Sequence, residues 1–221
     1  MVSFNLKPSE EFYEIEMEGS FIPSKFQPMW FVKNGLLGKE EAESTNLIKA
    51  DKDILSFSTK FIKITVENER FAVATAQILS FDLVVDMAVS VSEILKDSID
   101  NIFSIDLMLH FTFTNKTKFR QALNKICGGE KWIDYLKKPQ SLSFSITDEI
   151  KNRETNQSIT IAAEPCERKD MKYTLHLFVI NYFEITNKKL SVWDILKEDN
   201  HTLKDSIELI NKIIDLNFKN K

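Results

Sequence analysis

Between Ile102 and Phe113 the chain alternates without a break. Phe103, Ile105, Leu107, Leu109, Phe111 and Phe113 fall on one side, and Ile102, Ser104, Asp106, Met108, His110 and Thr112 on the other. A period of two over that length suits an extended strand and no helix. One wholly apolar side must be covered by a second layer, so the chain has to build a sheet with something packed against it. Seventeen Phe in 221 residues fit the same picture, a core filled by rings carried on strands.

Other segments repeat the pattern. Tyr13, Ile15 and Met17 oppose Glu14, Glu16 and Glu18. Residues 54–77 read as two or three short strands, with Glu67-Asn68-Glu69 as a tight turn. Strands are expected over 141–149, 158–164 and 172–185, with a polar hairpin tip at 151–157. Helical spacing replaces alternation in 81–97, through Leu83, Val84, Met87, Val91 and Leu95. Asn115 can cap a helix through Phe119, Leu123 and Ile126 that stops at Gly128. A short helical piece is expected over 131–137, and Gly38–Ser44 reads as a short exposed helix. Ser191-Val-Trp-Asp194 has the form of a capping box with Asp in place of Glu. A last helix carries Leu203, Ile207, Ile210 and Ile214 on one face. The expected fold is therefore α+β, with largely antiparallel sheet and packed helices. Two similar strand–strand–helix halves, 1–114 and 115–221, are one description of it. No linker composition divides them, so 1–221 reads as a single packed unit, and identity between the halves is too low for a repeat.

Charge and motif content narrow the function classes. Asp plus Glu number 33 against 29 Lys plus Arg, a net charge of −4. No run approaches the roughly 20 apolar residues of a membrane span, and the first residues lack the pattern of a secretion signal. Cys127 and Cys166 have no metal-ligand spacing and read as free thiols in a reducing compartment; a cytoplasmic protein is expected. There is no C-x-x-C, H-E-x-x-H, calcium loop or G-x-S-x-G elbow. Gly128-Gly129 follows a helix instead of opening one, so no phosphate cradle is expected. No cofactor, metal or catalytic residue is assigned, and whether the chain is an enzyme stays open, leaning against.

Four groups of residues could still carry function. Phe21 to Phe31, interrupted by Pro23 and Pro28, reads as an ordered loop pinned by its rings. It either packs over a sheet end or, where Phe26, Met29, Trp30 and Phe31 stay exposed, offers anchors to a protein partner. Residues 115–139 hold seven basic side chains, including Lys116, Lys118, Arg120, Lys125 and Lys131, against two acids. With Phe119, Trp132 and Tyr135 they form a solvated helix face, a nucleic-acid contact or a surface for an acidic protein partner. Asp106, His110 and His176 could make a cryptic hydrolase if separate strands bring them together. Asp106 and His110 are roughly 13 Å apart along one strand, so they need partners from elsewhere. Glu149-Ile150-Lys151 has the E-x-K shape of metal-dependent nucleases, which also need an acid such as Asp106 on an adjoining strand.

Phe26-Gln-Pro-Met-Trp-Phe31, Leu36-Leu-Gly-Lys-Glu-Glu-Ala-Glu43, Glu69-Arg-Phe71 and His110-Phe111 together resemble a sporadically distributed family of uncharacterised bacterial proteins. The likeness covers the N-terminal half and is one of pattern. It implies a bacterial cytoplasmic protein of mobile or defence-associated genes and supplies no active site. The expected function is a non-enzymatic protein-binding or assembly subunit whose partner includes a second copy of itself. A nucleic-acid-contacting component and a cryptic hydrolase are the alternatives.

Overall fold

The computed structural model describes residues 7–126, 143–151, 154–166, 172–198 and 201–218. Among these residues nine strands form one sheet: β1 (Glu10–Gly19), β2 (Asn46–Ala50), β3 (Ile54–Ser58), β4 (Lys63–Glu67), β5 (Arg70–Thr75), β6 (Ile99–Thr112), β7 (Phe144–Lys151), β8 (Thr155–Pro165) and β9 (Thr174–Ile185). Their spatial order is β2-β3-β4-β5-β1-β6-β9-β8-β7, and every neighbouring pair is antiparallel. The fold is α+β, and a single sheet runs through both halves of the chain. β6, the strand with the unbroken alternation, lies near the middle between β1 and β9, where both its edges are paired.

The described residues also form six α-helices: α1 (Pro28–Lys33), α2 (Lys39–Glu43), α3 (Phe81–Ile94), α4 (Lys116–Ile126), α5 (Val192–Glu198) and α6 (Thr202–Phe218). Strand pleating decides where they go. Ile15 and Met17 of β1, Phe71 and Val73 of β5, Phe103 and Ile105 of β6 and Phe183 of β9 all point to one face. There they meet Phe31 of α1, Val84 and Val91 of α3 and Leu196 of α5 in one core cluster. Leu107, Leu109, Phe111, Leu175, Leu177 and Val179 form a second cluster with Ala122 and Leu123 of α4 and Ile210 of α6. Phe81, at the start of α3, touches both. Each fully buried ring or branched side chain contributes about 1.5–3 kcal/mol by leaving water. The one polar side chain of β9 on this face, Asn181, donates to Ile105 O at 3.1 Å and Ser206 Oγ at 2.8 Å, so its burial is compensated.

Local signals account for most element ends. Asn115 Oδ1 accepts from Lys118 N–H at 3.0 Å and starts α4. Asp194 Oδ2 accepts from Ser191 N–H at 2.8 Å, the reciprocal bond of the expected capping box. Gly35, at φ +72, takes the left-handed position after α1. At Gly19 an added Cβ would run into the Ser98 carbonyl oxygen, where the β1–β6 register shifts. Two expectations need correcting. The aromatic stretch is more helical than a pinned loop: Pro23 opens a 3-10 turn and Pro28 opens α1, each at a first-turn position where a missing N–H costs nothing. The polar tip at 151–157 is largely taken into β7 and β8. The strand β2 was not expected, because all five of its residues are exposed and show no apolar alternation. Gly128, the 131–137 helical piece and Cys127 lie outside the described residues.

Candidate functional site

Because all strand residues in the two core clusters share one face, the other face of β5, β1, β6, β9 and β8 carries the polar set. Register brings its residues into rows. Glu14 stands opposite Asp106, and Glu16 opposite Ser104. One carboxylate oxygen from each of Glu14, Glu16 and Asp106 lies within 4.8 Å of the others. Arg70 of β5 reaches the same place: its Nη2 donates to Glu14 Oε1 at 3.1 Å, and its Nε touches Glu16 Oε2 without hydrogen-bond alignment. Burial pushes the Asp106 carboxyl up to about 7, with Glu14 and Glu16 adding to the rise and Ser104 and Arg70 opposing it. Burial also raises Glu14, against the pull of Arg70. Arg70 thus pairs with Glu14, Glu16 and, at 3.7 Å, Glu67, while burial and the neighbouring carboxylates favour the protonated form of Asp106.

A second row runs across four strands, Glu10–His110–His176–Glu164. The two imidazole rings sit 4.5 Å apart, edge to face. Each Nδ1 faces the carboxylate on its outer side, His110 to Glu10 at 3.5 Å and His176 to Glu164 at 3.8 Å. His110 is 5% exposed. Burial, then the neighbouring His110, push the His176 imidazole down to about 4.

The structure therefore brings His110 and His176 together and leaves Asp106 apart. Between the two rows stands an apolar one, Phe12, Met108 and Phe178, with the Phe12 ring 5.6 Å from His110. A hydrolytic set of Asp106 with the histidines is not assembled. Glu149 and Lys151 are three strands away from Asp106 and pair with each other at 3.6 Å in solvent, so the E-x-K set is not assembled either. His201 precedes α6 and accepts from Asp205 N–H through its carbonyl at 2.9 Å.

The aromatic anchors divide. Phe26 and Phe31 are buried, stacked among Phe21, Trp30, Phe57 and Phe71 over the sheet end. Trp30 is half-buried, and Met29 alone of the four is exposed, at 45%. Of the basic band, Lys116, Lys118 and Arg120 are exposed on α4 and Lys125 is half-buried. Lys131, Trp132 and Tyr135 lie outside the described residues. A cavity of about 880 Å³ opens between α3, α5 and α6 and reaches Ile15 and Ile105. Its charged lining, Asp82, Lys197, Lys204 and Glu208 among others, is of both signs and selects no ligand class.

The sheet ends differently on its two sides. β2 is five residues long, and its register with β3 shifts between Leu47 and Lys49. β7 is eight residues long and pairs with β8 in unbroken register from Phe144↔Ala163 to Lys151↔Asn156. Ile146 and Ile150 stand on its helix-bearing side at 61% and 43% exposure. The second edge offers a longer row of outward backbone groups and an apolar pair beside it.

No family model matches the chain and no curated protein matches it. No helix among the described residues is long and apolar enough to cross a membrane.

Proposed function

We propose that this protein is a binding and assembly subunit acting through protein–protein contact, and that it self-associates by antiparallel pairing of β7 with β7 of a second copy. The carrying observation is that β7 ends the sheet with no other described strand paired to its outer side. Natural sheets blunt long edges with bulges, prolines, central lysines or covering segments. β7 has an unbroken register, no proline, a lysine only at its last residue, and two exposed isoleucines. A two-fold axis normal to the sheet keeps the helices of both copies on one side. It sets Ile146 of each copy against Ile150 of the other, removing both from water.

The test is sedimentation of the full chain at tens of micromolar. The wild type is expected to be dimeric, and Ile146→Lys with Ile150→Lys monomeric with an unchanged circular-dichroism spectrum. A monomeric wild type, or a double variant that still dimerises, sinks the proposal. The exposed Lys116, Lys118 and Arg120 favour a second reading, contact with nucleic acid along α4. Binding of labelled single- or double-stranded probes that weakens steeply with salt, and vanishes when these three become Glu, is its signature.

A further inference from the structure

We propose that the Glu10–His110–His176–Glu164 row is a site for one divalent transition-metal ion of the zinc type, ligated by the two imidazoles through Nε2. The arrangement is that of a histidine metal site and its supporting shell. A ligating imidazole binds the ion through one nitrogen and donates the N–H of the other to a carboxylate, which fixes tautomer and ring orientation. Here each Nδ1 already faces a glutamate, on β1 for His110 and on β8 for His176. At 3.5 and 3.8 Å these are approaches that a donated N–H would tighten into hydrogen bonds. Nε2 is then the nitrogen left to each ring, and His176 Nε2 is buried with no hydrogen-bond partner.

Spacing agrees. A tetrahedral ion held about 2.0–2.1 Å from each nitrogen needs those nitrogens about 3.3 Å apart. The ring centres are 4.5 Å apart, so an ion between the two Nε2 atoms requires the rings to part by a fraction of an ångström. Both strands are interior strands of the sheet with no register shift across the pair, so the backbone presents the two histidines rigidly. Remaining positions fall to water, with the two glutamates kept as acceptors for the Nδ1 hydrogens. The choice of ion follows from ligand type, since imidazole suits zinc, copper and nickel more than magnesium or calcium. The neighbouring three-carboxylate group is a weaker competitor for such an ion, because Arg70 already supplies its cation.

The test is calorimetric titration of the chelator-treated full chain with Zn²⁺, repeated with Co²⁺ to read its visible absorption bands. Wild type is expected to take up one ion per chain with micromolar affinity and to show cobalt bands of nitrogen and oxygen ligation. His176→Gln is expected to lose saturable uptake. Glu10→Gln with Glu164→Gln, on partly exposed side chains, is expected to keep its stoichiometry and bind about 10- to 100-fold more weakly. His201→Gln is expected to bind like wild type. Absence of saturable uptake by the wild type overturns the proposal, as does uptake unchanged in both row variants. Uptake lost in Asp106→Asn and retained in His176→Gln overturns it too, and moves the ion to the carboxylates. Oligomeric state is no part of the readout, so this site stands or falls apart from edge pairing.

Discussion

The two edges of the one sheet, β2 and β7, are built from similar material and differ in protection. Both expose a pair of large aliphatic residues, Leu47 and Ile48 at one end and Ile146 and Ile150 at the other. On β2 the two are consecutive and Ile48 stands opposite no residue of β3, so they make no straight stripe. A register shift follows at once, and Lys49 pairs with Asp51 at 3.4 Å on the edge. On β7 the two are four apart, on one face, along a straight eight-residue ladder. Exposed apolar area is thus a poor guide to an interface, and its alignment with unpaired backbone is a better one.

Substitutions can break that contrast. The largest effect is expected away from both edges: Phe31→Ala, which empties a fully buried site among Trp30, Phe57 and Phe71, should cost about 3–5 kcal/mol in urea unfolding. Loss of dimer in a stably folded Phe31→Ala chain would tie association to the aromatic stretch instead of β7. Next, Ile146→Lys with Ile150→Lys should weaken association about 100-fold or more by equilibrium sedimentation, whereas Leu47→Lys with Ile48→Lys should leave it unchanged. Equal effects at the two edges would erase the distinction.

A pH-dependent effect separates the sheet centre from its edges. Folding raises the Asp106 pKa above its unfolded value, so its contribution favours the native state below pH 4 and is lost as pH rises towards 7. Asp106→Asn should therefore stabilise the protein by about 1–3 kcal/mol at pH 8 and by little at pH 4. An Asn variant that is less stable at pH 8 would show the cluster to be net attractive. The smallest effect is expected at the proposed two-fold axis, where Asp148 meets its own copy: Asp148→Asn should tighten the dimer by about 0.2–1 kcal/mol, and no tightening argues for another register.

Much of the fold was legible because its cause is local. Alternation marks β1 and β6, helical spacing marks α3, and Asn115 and Ser191–Asp194 announce their helices through bonds made within four residues. β2 escaped because a strand exposed on both faces leaves no period of two in its apolar residues. The site was legible only in parts. That Glu14, Glu16, Asp106, His110 and His176 face away from the core follows from alternation. That Glu14 meets Asp106, or His110 meets His176, depends on which strands pair and in what register, a long-range choice that one sequence does not express. The burial that lifts Asp106 arises from those same pairings.

Amide hydrogen exchange of β7 and β2 over a range of protein concentrations tests edge pairing most directly, since it reads the outward backbone groups themselves. Pairing requires that the outward amides of Phe144–Lys151 exchange fast in dilute solution and become protected as concentration rises, while those of Asn46–Ala50 stay fast throughout. Exchange at β7 that is independent of concentration, or protection that grows at β2 instead, would contradict it.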